Sequence, residues 1–401
     1  METWPLRDRT SIVGVGETEY HKAGRATRSE FDLACEAVRR AVEDAGLALS
    51  DVDGLSVYSG ERSAPGSVAQ ALGFGDLRFV NLYPGGGNSA CGVVHNAALA
   101  VGSGTADVVV VYRSICQGQS LRFGRAREGT GLGAKALGRT IGGGQAFSHP
   151  FGLMSPAQSY ALEARRHMYE FGTTSEQFGA IAVACYAHAQ RNPRAVMYGR
   201  PLTLEEHQQS RVIADPYHLY DCCQESDGAC AVVVTTTDRA EDLRHPPVLI
   251  AGAAQGLAAG DGGDRMRRPL DLWTSAGLVP VAKDLYRRAG VGPDDIDVVQ
   301  LYENFTGQVL MAFEDFGFCA RGEGGPFVSD GKLHWPDGAL PLNTSGGNLA
   351  EAYIHGFNLV VEGVRQIRGH STAQVRDAEH CLVVAGPSAP PSSALILRRS
   401  R

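Results

Sequence analysis

"AGLALSDVDGLSVYS" (residues 45–59) and "AGVGPDDIDVVQLYE" (residues 289–303) are two versions of one unit. Ala-Gly opens both, two aspartates and a tyrosine coincide, and the apolar positions agree. An amphipathic stretch precedes each, "LACEAVRRAVEDAG" (33–46) and "PVAKDLYRRAG" (280–290). Each stretch ends on a glycine, a natural helix C-cap, and then passes through D-x-D into a short apolar strand. Internal repetition on this scale outranks local propensity as evidence for a fold.

The echo extends outward. "PGGGNSACGVVHNAALAVGSGTADVVVVY" (84–112) reads as Gly-turn, helix, turn, strand, and "SGGNLAEAYIHGFNLVVEGVRQIRGH" (345–370) with "HCLVVAG" (380–386) repeats that order. An apolar strand precedes each copy, "TSIVGVG" (10–16) and "PVLIAGAA" (247–254). Alternating β and α elements imply two α/β halves with parallel sheets between helices. The division expected is residues 1–245 and 246–401. Between the copies, about 115–215 matches neither, and an insertion of this size is expected to be a lid or binding element. It holds the Gly- and Arg-rich "GRAREGTGLGAKALGRTIGGGQ" (124–145) and two helices. One follows Ser155-Pro156; the other opens at Thr174 with a capping box to Gln177. "SDGACAVVVTT" (226–236) then closes the first half as a strand.

Composition excludes several classes. Apolar residues are 43% of the 401, enough to bury a core, and the net charge is −7, which argues against nucleic acid. Nine cysteines show no CxxC or Cys/His metal spacing, so no metal site is expected and the thiols read as reduced in a cytoplasmic setting. The start of the chain has no leader pattern, and no apolar run of about 18 residues would span a membrane. Only Lys22, Lys135, Lys283 and Lys332 are available for Schiff-base chemistry, and none lies in a Gly-turn.

Four stretches carry a resemblance: "PFGLMSPAQSYALEARRHMYEFG" (150–172), "DCCQESDGACAVVV" (221–234), "YENFTGQVLMAFEDFG" (302–317) and "NTSGGNLAEAYIHG" (343–356). In this order they resemble the sterol-carrier-protein-x branch of the thiolase superfamily, and within it the aldolases of bacterial steroid side-chain degradation. The resemblance implies the thiolase fold: two duplicated βαβαβαββ halves forming a five-layered αβαβα sandwich with a lid/loop insertion. It also implies a homodimer and a small partner of OB-fold and zinc-ribbon type, together a heterotetramer.

The departures from that branch decide the chemistry. Its nucleophilic cysteine would fall at about Gly87, where there is no thiol. Its "HDCF" is "YENF", placing Tyr302 where a histidine stands, and in "GGNLAEAYIHG" Tyr353 replaces the second histidine. Acyl transfer needs a thiolate and a base. Without the thiol, the machinery that stabilises a thioester enolate still serves retro-aldol cleavage of a β-hydroxyacyl-CoA, giving a ketone and a short acyl-CoA such as propionyl-CoA. The catalytic residues expected are Tyr302 and Tyr353, as acid and base. Which is which stays open, with preference for Tyr353 at the β-hydroxyl and Tyr302 at the enolate carbon. Asn304, Gly87, Gly346 and Gly347 are expected to position substrate or donate to the oxyanion. Coenzyme A enters as the substrate thioester, with no covalently bound cofactor. The arginines of 122–139 are candidates for its phosphates on composition alone.

Other readings compete. An acyltransferase using Cys91 and a non-catalytic acyl-CoA- or lipid-binding subunit are the alternatives. Cys91, one turn beyond the slot, reads as a buried small residue, and Cys222 and Cys223 read as core. Tyr58, the repeat counterpart of Tyr302, is expected to be structural. Glu303 and Glu351 are expected to be solvated or structural. His149 fits lining the site or capping a loop equally. On a continuous helix, His355 would lie about 200° from Tyr353, off its face.

Overall fold

The computed structural model describes residues 4–119, 148–262 and 267–400. The first half runs β1 (Thr10–Glu17), α1 (Glu30–Ala45), β2 (Gly54–Tyr58), β3 (Phe79–Tyr83), α2 (Ala90–Gly102) and β4 (Val108–Cys116). The insertion contributes α3 (Pro156–Phe171) and α4 (Ser175–Ala189), and β5 (Ser226–Thr236) closes the half. The second half runs β6 (Val248–Gly256), α5 (Val279–Ala289), β7 (Val298–Leu301), α6 (Thr306–Asp315), α7 (Gly347–Ala350), α8 (Phe357–Arg368), β8 (His380–Ala385) and β9 (Ser392–Arg399).

The strand order is β7-β8-β9-β6-β1-β5-β4-β2-β3. Read outward from the centre, it is one pattern twice, β1-β5-β4-β2-β3 and β6-β9-β8-β7. The halves meet where Ser11 and Ile12 of β1 pair with Leu249 and Val248 of β6. A single parallel bridge, Val299 to Leu342, stands where the second half would carry a counterpart of β3. The expectation of parallel sheets holds for β2, β3 and β4 and for β7 with β8, but β5 and β9 run antiparallel to their neighbours. The connection from β8 to β9, residues 386–391, is too short for a parallel crossover and can only reverse the chain.

Burial patterns explain the layers. α2 is apolar nearly all round and buried along its length, as a helix between two sheets must be. It packs on β2, β4 and β5 of its own half and on β6 and β9 of the other, and α8 likewise touches strands of both. α1 is amphipathic, with a Ser29 capping box to Asp32 and a left-handed Gly46 at its end, and covers β1, β4 and β5 on the outer face. α5 covers β6 and β9 on the opposite face. These are the five layers, α/β/α/β/α.

The insertion helices form where expected. The Ser155 side chain accepts from Gln158 N–H, and Gln177 accepts from Thr174 N–H at 3.0 Å. α3 and α4 pack against α6, and α4 also against α7. The chain after α4 is pinned to the second Gly-turn, Val196 N–H donating to Glu351 O at 2.8 Å and Met197 N–H to Ala350 O at 3.1 Å. The arginines of 122–139 lie outside the described residues.

The segment after Gly346 differs from expectation. α7 stops at Ala350, and α8 begins only at Phe357. Between them His355 and Gly356 take left-handed backbone angles, φ 50° and 75°, which no right-handed helix can contain. Tyr353 therefore stands in an irregular stretch between two helices.

Candidate active site

Two remote turns bring two phenols together. Tyr302 leaves the end of β7, its N–H donating to Val384 O of β8 at 3.0 Å. Tyr353 is held by its own N–H, which donates to Ser226 Oγ at 3.0 Å. Their hydroxyls lie 2.8 Å apart, and either can donate. The rings are 4% and 7% exposed, and burial pushes both phenols well above their usual range. The Tyr302 hydroxyl and the charge of Arg113 pull Tyr353 back toward ionisation in part.

Gly87 faces this pair. A Cβ built on it would lie 2.0 Å from Tyr302 Oη and 2.4 Å from Cε2. A Cβ on Gly356 would meet the Cδ2–Cε2 side of the same ring, 2.3 Å from Cδ2. The tyrosine ring thus fills the volume that a side chain at Gly87 would need, so a residue with a side chain there and this phenol exclude each other. Gly87 also opens a helical turn, Gly87–Ser89, whose first N–H groups have no acceptor within the turn.

The second Gly-turn is engaged with itself. Gly346 N–H donates to Asn343 O at 2.8 Å. Glu303 Oε1 accepts from Asn348 N–H at 2.7 Å, and a Cβ on Gly347 would lie 1.8 Å from that oxygen. Gly347 makes room for a buried carboxyl beneath the turn, and Gly346 lets the turn close against Ala189, 2.8 Å from where its Cβ would sit. Glu303 is wholly buried, and burial pushes its pKa up to about 8. Glu351, pushed up to about 7 by burial, is tied to Ser345 Oγ at 2.7 Å and Asn192 Nδ2 at 2.9 Å. Both carboxyls are buried against the turn rather than solvated. Asn304 Oδ1 accepts from Phe305 N–H at 3.0 Å, which leaves the amide NH2 end as the part it can offer a ligand.

The sequence reading separated Tyr353 from His355; the break after α7 reverses that. Their rings meet edge to face with centroids 5.2 Å apart. Arg113, from β4, donates to His355 Nδ1 at 2.9 Å. Burial, then Arg113 and Arg62, hold that imidazole well below its ordinary pKa. Arg113 was legible as one charge at the end of an otherwise apolar strand, "VVVVYRSIC". Tyr160 of α3 also comes close, its ring 5.0 Å from that of Phe305. Cys223 packs against the core cluster that also holds Tyr302 and Tyr353. Tyr58 is structural as expected, wholly buried with its hydroxyl donating to His355 O at 3.3 Å.

Cys91 is fully buried, its thiol donates to Val383 O at 3.5 Å, and burial pushes its pKa up. Nothing in that setting makes it a nucleophile. Among the described residues no cluster of three His, Cys, Asp or Glu side chains is placed to hold a metal ion. No helix among them is long and apolar enough to cross a membrane. His149 lies in a partly exposed short turn, His149–Phe151.

Two like halves around a central helix pair, with the thiolase nucleophile slot empty, define a thiolase-fold enzyme that does not use a cysteine at that position. The Thiolase C-terminal domain-like family matches residues 265–399. The chain is 46% identical over 400 residues, 99% of both chains, to a steroid side-chain-cleaving aldolase of Thermomonospora curvata. It is 44% identical over 394 residues to a 17-hydroxy-3-oxo-4-pregnene-20-carboxyl-CoA lyase of Mycobacterium tuberculosis, covering 98% of this chain and 100% of that one. A solved structure described as "Ltp2-ChsH2(DUF35) aldolase" superposes with a TM-score of 0.90 at 45% identity, covering 99% of each chain. The chain belongs to this thiolase-like aldolase family and is a carbon–carbon lyase.

Proposed function

We propose that this lyase cleaves the β-hydroxyacyl-CoA thioester of a steroid side chain by retro-aldol reaction, releasing a ketone and a short acyl-CoA such as propionyl-CoA. The observation that carries the mechanism is the 2.8 Å bond between two buried phenols. Burial raises both phenols, so neither is a standing base at neutral pH. As a pair they need not be one. Tyr353 takes the β-hydroxyl proton as its own proton passes to Tyr302. In the same concerted step the proton of Tyr302 passes to the enolate carbon left by Cα–Cβ cleavage, so neither phenol oxygen carries two protons. The net result moves one proton from oxygen to carbon, and the pair returns to its starting state. Tyr353 is placed at the hydroxyl because the charge of Arg113 favours its ionised form. Gly87 N–H and the Asn304 amide position the thioester; Gly347 acts through the turn by seating Glu303, and Gly346 by letting the turn close against Ala189.

A buried, carbonyl-bound Cys91 gives the acyltransferase alternative no nucleophile. A partner follows by analogy with the DUF35 chain in the related aldolase structure. We extend to this chain a homodimer flanked by two such partners, in the cytoplasm, with halves divided at residue 245. Edge strand β3 supports the dimer: Val80 and Leu82 are 53% and 58% exposed on one face of it. The test is to co-purify the chain with the small partner encoded beside it and assay ketone release from a steroid β-hydroxyacyl-CoA. Tyr302→Phe and Tyr353→Phe are each expected to lower kcat by roughly 10²–10⁴-fold. Wild-type rates in both variants would refute the site.

A further inference from the structure

We infer that Asn88 is a positioning residue for the cleavage: it ties the first Gly-turn to the β8–β9 connection, so that Gly87 N–H keeps one fixed aim at the thioester oxygen. The inference rests on the aldolase reading above and adds to it the device that holds its backbone donor.

The need for such a device lies in the chain itself. Gly85, Gly86 and Gly87 are three glycines in a row, and glycine has more backbone freedom than any other residue. A donor on such a stretch wanders unless something fixes it. Asn88 does so with both ends of its amide. Oδ1 accepts from Gly86 N–H at 2.8 Å, and Nδ2 donates to Pro391 O at 3.0 Å. One partner is a donor and the other an acceptor, which sets the orientation of the amide. The backbone adds a third bond, Ser393 Oγ donating to Asn88 O at 2.8 Å. With Gly86 N–H engaged, the donor that follows is that of Gly87, at the start of the helical turn Gly87–Ser89.

Two glycines make room for this side chain. A Cβ on Gly85 would lie 2.4 Å from both Oδ1 and Nδ2 of Asn88, and a Cβ on Gly386 would lie 2.3 Å from its Cβ. The amide does not cap α2. Its bonds run elsewhere, one back to Gly86 and one across to the second half.

The tie matters because of what else hangs on the same hairpin. β8 and β9 pair from His380 with Arg398 to Ala385 with Ser393. Tyr302 N–H donates to Val384 O inside that pairing, and Pro391 and Ser393 hold Asn88 at its end. One pair of strands in the second half therefore carries the phenol and, through Asn88, the backbone donor of the first half. The Tyr302 ring fills the space over Gly87, so a turn released from the hairpin loses its register with that ring.

The experiment uses the chain with its small partner. Asn88→Ala keeps the Cβ that packs on Gly386 and removes only the amide. It is expected to lower kcat by roughly 10–100-fold with KM changed only a few-fold, because the donor is misaimed rather than removed. Ser393→Ala leaves the amide in place and loosens the same tie by one bond, so its kcat should fall less, by roughly threefold to tenfold. The discriminating readout is affinity for two unreactive probes. A CoA thioether bearing a nitronate presents a planar anion where the enolate forms, and its neutral ketone counterpart does not. Asn88→Ala should weaken nitronate binding by roughly tenfold or more and leave ketone binding within about threefold. A merely structural role would weaken both probes alike. An Asn88→Ala kcat within about threefold of wild type, or equal losses for the two probes, overturns the inference. Should Asn88→Ala fail to fold, Ser393→Ala decides on the same two readouts: a kcat loss with nitronate-selective weakening supports the tie, and an unchanged kcat overturns it. If Asn88→Ala is normal while Tyr302→Phe and Tyr353→Phe are dead, only this inference fails; if wild type releases no ketone, the parent reading fails and this one with it.

Discussion

Gly87→Ala puts a methyl group into the space that Tyr302 occupies. Its Cβ would begin 2.0 Å from the phenol oxygen and 2.1 Å from Cζ. Relief requires ordinary contact at ~3.4 Å, a retreat of about 1.4 Å. Gly356 packs against the Cδ2–Cε2 side of the same ring, so the ring is already in tight contact there. A shift of that size in any direction spoils the geometry of the 2.8 Å bond to Tyr353. Overpacking should cost about 1–3 kcal/mol of stability. Displacement of a relay group on the order of 1 Å should cost roughly 10²-fold in kcat. Urea unfolding reads the first and ketone release from the steroid thioester reads the second. The pair Gly87→Ala and Tyr302→Phe should be strongly non-additive in rate, because the alanine acts through the hydroxyl that the phenylalanine lacks. A Gly87→Ala enzyme with wild-type kcat, or simple additivity of the two losses, would refute the reasoning.

Three further outcomes follow from buried or exposed groups. Glu303 is pushed up to about 8 in the fold from 4.5, so the unfolded chain loses that proton first and stability declines as pH rises from about 4.5 to about 8, by up to roughly 5 kcal/mol. Glu303→Gln should flatten this decline in urea unfolding curves between pH 5 and 8.5, and an unchanged slope would count against a protonated carboxyl. Cys91→Ala should keep ketone release within about threefold of wild type, with no acyl-enzyme seen by mass spectrometry of the quenched reaction. A labelled cysteine during turnover would sink the non-covalent mechanism. Val80→Glu together with Leu82→Glu should convert the dimer to monomer in light scattering, since two charges on one edge-strand face oppose pairing; an unchanged dimer would place the interface elsewhere.

Several features of this enzyme are local in sequence and were legible there. The Ala-Gly…D-x-D…Tyr repeat encodes two like halves, because each copy carries its own cap, turn and apolar strand. The vacancy at Gly87 and the phenols at 302 and 353 are visible as residue identities at fixed places in ordered motifs. The insertion helices were legible from their caps at Ser155 and Thr174. What the sequence could not show was adjacency. Tyr302 and Tyr353 are separated by 51 positions and meet where two turns of the second half fold together; Arg113 and His355 are separated by 242 and meet only because the two halves close on one central helix layer. Periodicity also misplaced His355, since it assumes a continuous helix and left-handed backbone at 355 and 356 breaks it. The buried state of Glu303 was likewise invisible, since a carboxyl beside a strand end reads as solvated until the turn at Gly347 folds over it. Residue type and spacing determined which chemistry was absent and which groups were on hand; tertiary packing alone decided their distances, and with them which proton can move where.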